Sequence, residues 1–334
     1  MKGERQVKNF LIYALISLSA SLICGFFAVP ALKRIKAGQP VLKYVETHKD
    51  KNGTPTMGGL FFIIPSSVVF LLSGGSNRLA VVAVTIGLAF MAVGFIDDFL
   101  KIKRKTNEGL KPYQKMLFLC VIALFAGIFA YVNGLTVFYL PFTVKVFNAG
   151  WFTVPLVAVV FIAMTNSVNL TDGLDGLAAS VSFTYLVFII ALICAEKNVF
   201  GYIYLKPEEY DGLCGYAASV AGGLLAFLFF NSSKASVFMG DTGSLSLGGI
   251  LGAISVFSSN GLFIPVLGLP FVTSSLSVII QVLHFKRTGK RVFLMAPLHH
   301  HFQMKGYSET KISFAYSLVT GILGALSVIC YIRG

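Results

Sequence analysis

Ten long apolar runs, separated by polar loops, set the rhythm of the chain. They cover residues 9–29, 57–73, 79–96, 116–133, 151–168, 177–194, 212–230, 242–258, 262–284 and 312–332. Most approach the ~20 residues that cross ~30 Å of hydrocarbon as a helix. Helices are the expected form, because hydrocarbon offers no partner for an unpaired backbone amide. The second run is short. The ninth contains Pro265 and Pro270, which remove amide donors, so a kink or break is expected there. The first run follows Lys2, Arg5 and Lys8 and so imitates a signal peptide, but it is long for one and many runs follow it, so it reads as a helix. Segment 134–150 alternates and is rich in Val, Phe and Thr, which predicts a small hairpin. No repeat of fixed period is visible. The fold class is an all-α polytopic membrane protein, one integral membrane unit over 1–334, with about ten transmembrane helices and a broken ninth.

Composition supports this medium. Of 334 residues, 56% are hydrophobic and 12% charged, more apolar surface than a soluble domain of this length can cover. Mean hydropathy is +0.79. The net charge of +13 would suggest nucleic acid on a soluble protein. Here the cations gather in short loops, which is a topology signal and a surface for anionic lipid or phosphate. The loop after the first run carries Lys33, Arg34, Lys36, Lys43, Lys49 and Lys51. The loop after the third carries Lys101, Lys103, Arg104, Lys105, Lys111 and Lys115; that after the ninth, Lys286, Arg287, Lys290, Arg291, Lys305 and Lys311. Lys234 follows the seventh. The opposite loops hold Arg78, Lys145, Lys197 and Lys206. Odd-numbered exits are therefore expected in the cytoplasm, with both termini and the hairpin outside. The five cysteines form no CxxC pair and read as inert.

On this topology the acids are unevenly placed. Asp97, Asp98, Asp172, Asp175 and Asp241 all fall at the cytoplasmic edge, with the five histidines His48, His284 and His299 to His301. Glu196, Glu208, Glu209 and Asp211 share one outer loop, where solvation accounts for them. Carboxylates at a membrane edge among basic loops make a basin suited to hard cations and phosphate. Oxygen ligands without a cysteine cluster favour Mg²⁺ over Zn²⁺, and Mg²⁺ with carboxylates and Lys is suited to pyrophosphate.

Four motifs carry this chemistry, each with a plainer alternative. In Asp97-Asp98-Phe99-Leu100-Lys101, adjacent acids point apart, so one can serve a metal and the other a substrate; the alternative is a solvated helix end with an i,i+4 pair. In Asn166 to Gly176, a Gly-rich loop follows an apolar run, and Asp172 and Asp175 are spaced to share one helical turn, or the loop simply caps two helices. Phe238-Met239-Gly240-Asp241-Thr242-Gly243 sets one acid at a helix start, as phosphate site or as cap. The three histidines of Pro297 to Phe302 are neighbours and cannot all reach one ion from a helix; they suit a loop gripping phosphate or base, or a bare surface loop. Lys51 to Gly59 reads as a turn with packing glycines, and Ser244-xxx-Gly248-xxx-Gly252 as an intramolecular helix seam.

In this order the motifs DDFLK, NLTDGLDGLA and FMGDTGSL, with GTPTMGG and PLHHHF, resemble one family over essentially the whole chain. It is the phospho-N-acetylmuramoyl-pentapeptide transferase family, within the polyprenyl-phosphate N-acetylhexosamine-1-phosphate transferases. The resemblance implies UDP-MurNAc-pentapeptide and undecaprenyl phosphate as substrates, giving lipid I and UMP in peptidoglycan synthesis. It implies a homodimer in the bacterial inner membrane, Mg²⁺, and no nucleic acid. It implies Asp241 as Mg²⁺ ligand, with Asp97, Asp98, Asp241 and His299 catalytic. Lys101 and Lys115 would bind phosphate; Asn169, Asp172, Asp175, Asn231 and Phe238 the nucleotide; and His300 and His301 the donor's phosphates. The sequence departs from the family at Gln303, where members commonly carry Glu. Direct attack by the acceptor phosphate is favoured over a covalent aspartyl intermediate, and both stay open. A sister UDP-N-acetylglucosamine transferase is the nearest alternative, disfavoured by the triple-His loop. A transporter would need acids at mid-membrane or inverted repeats, and a scaffold gives no reason for five Asp at one face.

Overall fold

The computed structural model describes residues 2–35, 53–106, 108–200 and 205–332. Lys36, Lys43, His48, Lys49 and Lys51 lie outside the described residues. The expected runs form helices. In order they are α1 (Lys2–Arg34), α2 (Gly59–Leu72), α3 (Arg78–Arg104), α4 (Pro112–Val132), α5 (Thr153–Thr171), α6 (Leu177–Phe200), α7 (Pro207–Asn231), α8 (Gly240–Phe257), α9 (Ile264–Leu267), α10 (Leu269–Thr288), α11 (Leu298–Met304) and α12 (Glu309–Ile332). Among the described residues, eight are long and apolar enough to cross a membrane: α1, α3, α4, α5, α6, α7, α10 and α12. The chain also presents apolar side chains outward, among them Phe27, Leu72, Phe229 and Phe314. Such a surface suits lipid rather than water.

Helix α8 is the pillar. Every residue from Thr242 to Phe257 is buried, with α3 and α5 against it and α2 and α7 alongside. Its small residues make this possible. A Cβ on Gly248 would stand 2.6 Å from Thr165 Cα, and one on Gly252 3.3 Å from the Phe161 ring. The Ser244/Gly248/Gly252 stripe is therefore an intramolecular seam, as expected. The remaining helices wrap this centre, α1 against α7 and α12 against α6.

The ninth run breaks as its prolines predict. Helix α9 ends at Gly268, and α10 restarts with Pro270 in its first turn, where no amide donor is needed. The hairpin also forms: β1 (Val137–Tyr139) pairs antiparallel with β2 (Val146–Asn148). Tyr139 N–H donates to Ser259 O at 2.9 Å, fastening the hairpin to the C-terminal end of α8. One expectation fails here. Glu196 does not sit in a solvated loop: it is 1% exposed and accepts from Asn260 Nδ2 at 2.8 Å, tying α6 to the segment after α8. A carboxylate excluded from water needs such a partner.

Candidate active site

At the end of α8 opposite the hairpin, three carboxylates converge. Helix α3 runs on past its apolar run to Arg104, and this extension carries Asp97 and Asp98, both buried. Asp241 stands in the first turn of α8. One oxygen from each lies within 4.8 Å of the others. Two glycines permit the approach. A Cβ on Gly94 would collide with the Asp241 carbonyl, and Gly240, at φ +71°, lets the chain turn into α8 where a side chain would strike Asp98.

Each acid has a distinct setting. Asp97 Oδ1 accepts from Leu110 N–H at 2.8 Å, and its Oδ2 lies 2.6 Å from Lys101 Nζ. Asp98 Oδ2 accepts from Thr242 N–H at 2.9 Å and from Thr242 Oγ1–H at 2.7 Å. Asp98 Oδ1 is buried without a hydrogen-bond partner, with Lys101 Nζ at 3.8 Å. Asp241 Oδ2 takes both ammoniums, Lys101 and Lys115, each at 2.9 Å. Its Oδ1 accepts from Asn169 Nδ2 at 2.6 Å, and Asn169 also donates to Ser244 Oγ at 2.8 Å. Asp97 and Asp98, adjacent in the chain, both bring an oxygen to one cluster while keeping separate partners, Leu110 and Lys101 for the first and Thr242 for the second. Lys101 meets Asp97 across one helical turn, as its spacing predicts. Three clustered carboxylates, with Asp98 Oδ1 buried and without a hydrogen bond, fit a hard divalent cation better than a soft one.

The loop between α5 and α6 divides the next two acids. Residues 172–176 form a turn, not the helical turn the i,i+3 spacing suggested. Asp172 stands within electrostatic reach of the cluster. Burial, then the charges of Asp241, Asp98 and Asp175, push its carboxyl up to about 8. Asp175 is built into the frame: its Oδ2 accepts from Ala235 N–H at 3.0 Å, and its own N–H donates to Glu309 Oε2 at 2.9 Å. Asn231 is likewise spent on backbone, accepting from Gly176 N–H and donating to Val237 O, each at 2.9 Å. Phe238 pairs by its backbone with Pro55 and Gly58, so the strap at Thr54 to Gly59 holds the entry to α8 in place.

The triple histidine is a short helix, α11, not a loop. His299 is buried, with neither ring nitrogen hydrogen-bonded, and burial holds its imidazole down at about 3, hence neutral. His299 and His300 both face Gly173, beside Asp172. His301 turns away: its Nδ1 accepts from Leu294 N–H at 3.2 Å and its ring packs on Phe293. Neighbours on a helix diverge by ~100°, and His301 is the one that leaves the site. Sequence reasoning missed Thr242, Glu309 and the positions of Leu110 and Ser244 around the acids. Thr242 could have been found, since it follows Asp241 in the same motif; a lone Glu at 309 carries no signal.

Comparison with known proteins follows the same lines. Residues 79–259, from α3 through α8, match the model of glycosyl transferase family 4. Residues 51–63, the strap and the start of α2, match phospho-N-acetylmuramoyl-pentapeptide-transferase signature 1. A phospho-N-acetylmuramoyl-pentapeptide-transferase of Clostridium novyi is 42% identical over 96% of this chain and 98% of its own length. The chain belongs to the phospho-N-acetylmuramoyl-pentapeptide-transferase family. Transferases of the same description from Acetivibrio thermocellus (41%, 92% of this chain and 91% of the relative) and Heliobacterium modesticaldum (39%, 95% and 97%) agree. It is thus an enzyme, a transferase of peptidoglycan synthesis and a multi-pass protein of the bacterial inner membrane. The glycosyl transferase match contains all three clustered acids of the transferase, with Asn169, Lys101 and Lys115. Helix α11 lies beyond it, so the histidines enter the site from a part of the chain outside that shared segment.

Proposed function

We propose that this transferase moves phospho-MurNAc-pentapeptide from UDP-MurNAc-pentapeptide to undecaprenyl phosphate, giving lipid I and UMP, at a site on the cytoplasmic face. The observation that carries this reading is the meeting of Asp97, Asp98 and Asp241 with Lys101 and Lys115 at one end of the bundle. In the proposed topology the chain crosses ten times, with both termini and the hairpin outside. The acids then sit at the exits richest in Lys and Arg.

Mg²⁺ would be held by Asp241, with Asp98 Oδ1 the buried oxygen left for it, and would neutralise pyrophosphate charge. The residues themselves do the positioning. Asp97, locked to Leu110, holds Lys101 toward Asp241, and Lys115 joins it there, so two ammoniums face incoming phosphate. A phosphate oxygen of the lipid acceptor attacks the β-phosphorus of the donor. Its new P–O bond forms as the bond to UMP breaks, and UMP leaves with that electron pair. The acceptor's second pKa is near ~6, so direct attack needs little proton removal. Asn169 fixes Asp241, and Asp172 with His299 and His300 lines the donor side.

The test is UMP release in detergent from these two substrates, with and without Mg²⁺, for the wild type and Asp241→Ala. Mg²⁺-dependent release that falls about 10²-fold or more in the variant is expected. Turnover of UDP-N-acetylglucosamine in place of the muramoyl donor, or release without a divalent cation, would overturn the reading.

A further inference from the structure

The connection between α4 and α5 is not built like a loop meant for water. Residues 134–152 hold a single charged side chain, Lys145. At the same end of the bundle, where Arg78 meets Asn133 and Glu209, the entry to α7 carries Glu208 and Glu209 in its first turn. In the hairpin, Phe138 and Tyr139 are buried, and the bond from Tyr139 N–H to Ser259 O pins it at the end of α8 opposite the acids. Phe142, Val144, Phe147, Trp151 and Phe152 are all exposed. An apolar patch of this kind marks a surface that meets something other than water. The tip is the sharpest case. Thr143 N–H donates to Leu140 O at 3.2 Å, closing a turn in which Pro141 is followed by Phe142 at φ +61°. That is the pattern of a type II turn, whose third position takes Gly or Asn. A bulky ring there strains the backbone, and with Phe142 47% exposed, packing inside the protein does not account for it. Trp151 and Phe152 stand at the start of the α5 membrane span, Gly150–Thr171. Trp151 is 73% exposed, and an indole, apolar in the ring and polar at its N–H, favours the boundary between acyl chain and headgroup. The two spans carry apolar exposure up to the hairpin, with Val121, Phe125, Ile128 and Val132 at helical spacing on α4 and Val159 on α5.

We propose that this hairpin is a membrane anchor: it lies in the headgroup region of the leaflet at the end of the bundle away from the acids, with Phe142, Phe147, Trp151 and Phe152 dipped into the edge of the acyl chains. Side chains on an interfacial element reach ~5–10 Å into that boundary. The partner is a lipid surface because apolar exposure runs on from the two spans that the hairpin joins, and because its one charge is a cation. Lys145, between Val144 and Val146, can lay its stem along apolar surface and return its ammonium to lipid phosphate. Fastened to Ser259 just past α8, a hairpin held at the lipid boundary also holds α8, and Asp241 at its other end, at one depth. None of this depends on the proposed reaction.

Trp151 is the chain's only tryptophan, so the fluorescence of the full-length protein reports on it directly. The protein is reconstituted into vesicles of phosphatidylethanolamine and phosphatidylglycerol, with and without lipids brominated at set depths along their acyl chains. Acrylamide, present on both sides of the membrane, serves as the quencher from water. Trp151→Phe combined with Phe142→Trp moves the reporter to the tip. Trp151→Phe combined with Phe147→Trp moves it to β2, and replaces the tip variant where that one fails to fold. Each reporter is expected to emit at short wavelength, to lose more emission to bromine near the headgroup than to bromine near the chain end, and to resist acrylamide. A tip or β2 reporter that acrylamide quenches and brominated lipid does not would put the hairpin in water and overturn the proposal. A reporter quenched by neither would overturn it too, since protein, a second copy of the chain included, would then be what covers the hairpin.

Discussion

Asp98→Asn separates what the cluster does for folding from what it does for chemistry. In the wild type, Asp98 Oδ2 takes two hydrogen bonds from Thr242, while Oδ1 is buried with no hydrogen-bond partner. An asparagine in the same rotamer keeps an oxygen for Thr242 and places its NH₂ where Oδ1 was. Bonds to a charged group contribute about 1.5–3 kcal/mol and neutral ones about 0.5–1.5, so the two together lose roughly 2–3 kcal/mol. Against this, the variant no longer buries an anion whose nearest cation stands 3.8 Å away, a penalty of several kcal/mol in real proteins. The sum is near zero or stabilising. Catalysis has no such compensation, since an amide cannot offer the anionic oxygen. Removing one preorganised electrostatic partner costs about 10²–10³ in kcat, or roughly 2.7–4 kcal/mol. The assay is UMP release at saturating donor, paired with thermal unfolding in the same detergent. The expected result is a melting temperature equal to or above wild type with activity down at least about 10²-fold. A variant that unfolds, or one that keeps most of its rate, would refute the reasoning.

Two further outcomes follow from the same geometry. Asp172, raised to about 8 in the fold from an ordinary 3.8, binds its proton more tightly folded than unfolded. Its contribution is therefore fully present at acid pH and lost as pH climbs toward 8. Unfolding temperatures measured without divalent cations should fall between about pH 4 and about pH 8, and fall less in Asp172→Asn; equal slopes would show that Asp172 carries no such linkage. Gly248→Ala sets a methyl 2.6 Å from the Thr165 backbone, so α5 must move off α8. A loss of about 1–3 kcal/mol is expected by unfolding in detergent, and an unchanged melting temperature would mean that the seam has slack.

The elements of the fold were legible in the chain because the bilayer imposes a one-dimensional rule. Each crossing must satisfy its own backbone and bury its length in hydrocarbon, so apolar run lengths foretell α1 through α8 and α12, and prolines foretell the break at Gly268. Charge placement led to the expectation of phosphate chemistry at one end of those helices; the structure brings Asp97, Asp98 and Asp241 together with Lys101, Lys115 and Asn169. What no run or motif could decide is which atoms face one another across the bundle. Asp172 and Asp175 stand three residues apart with the same side chain, yet the first feels the charges of Asp241 and Asp98 while the second accepts from Ala235, and a tight turn rather than a helix joins them. His299 to His301 look alike as letters; the helical twist buries one, aims a second at Gly173 and turns the third to Leu294. Glu196 was expected in water and is sealed against Asn260. Local sequence sets how each segment pairs with itself and with its solvent. The partners of a buried polar atom come from segments far along the chain, so only the packed tertiary structure could name them.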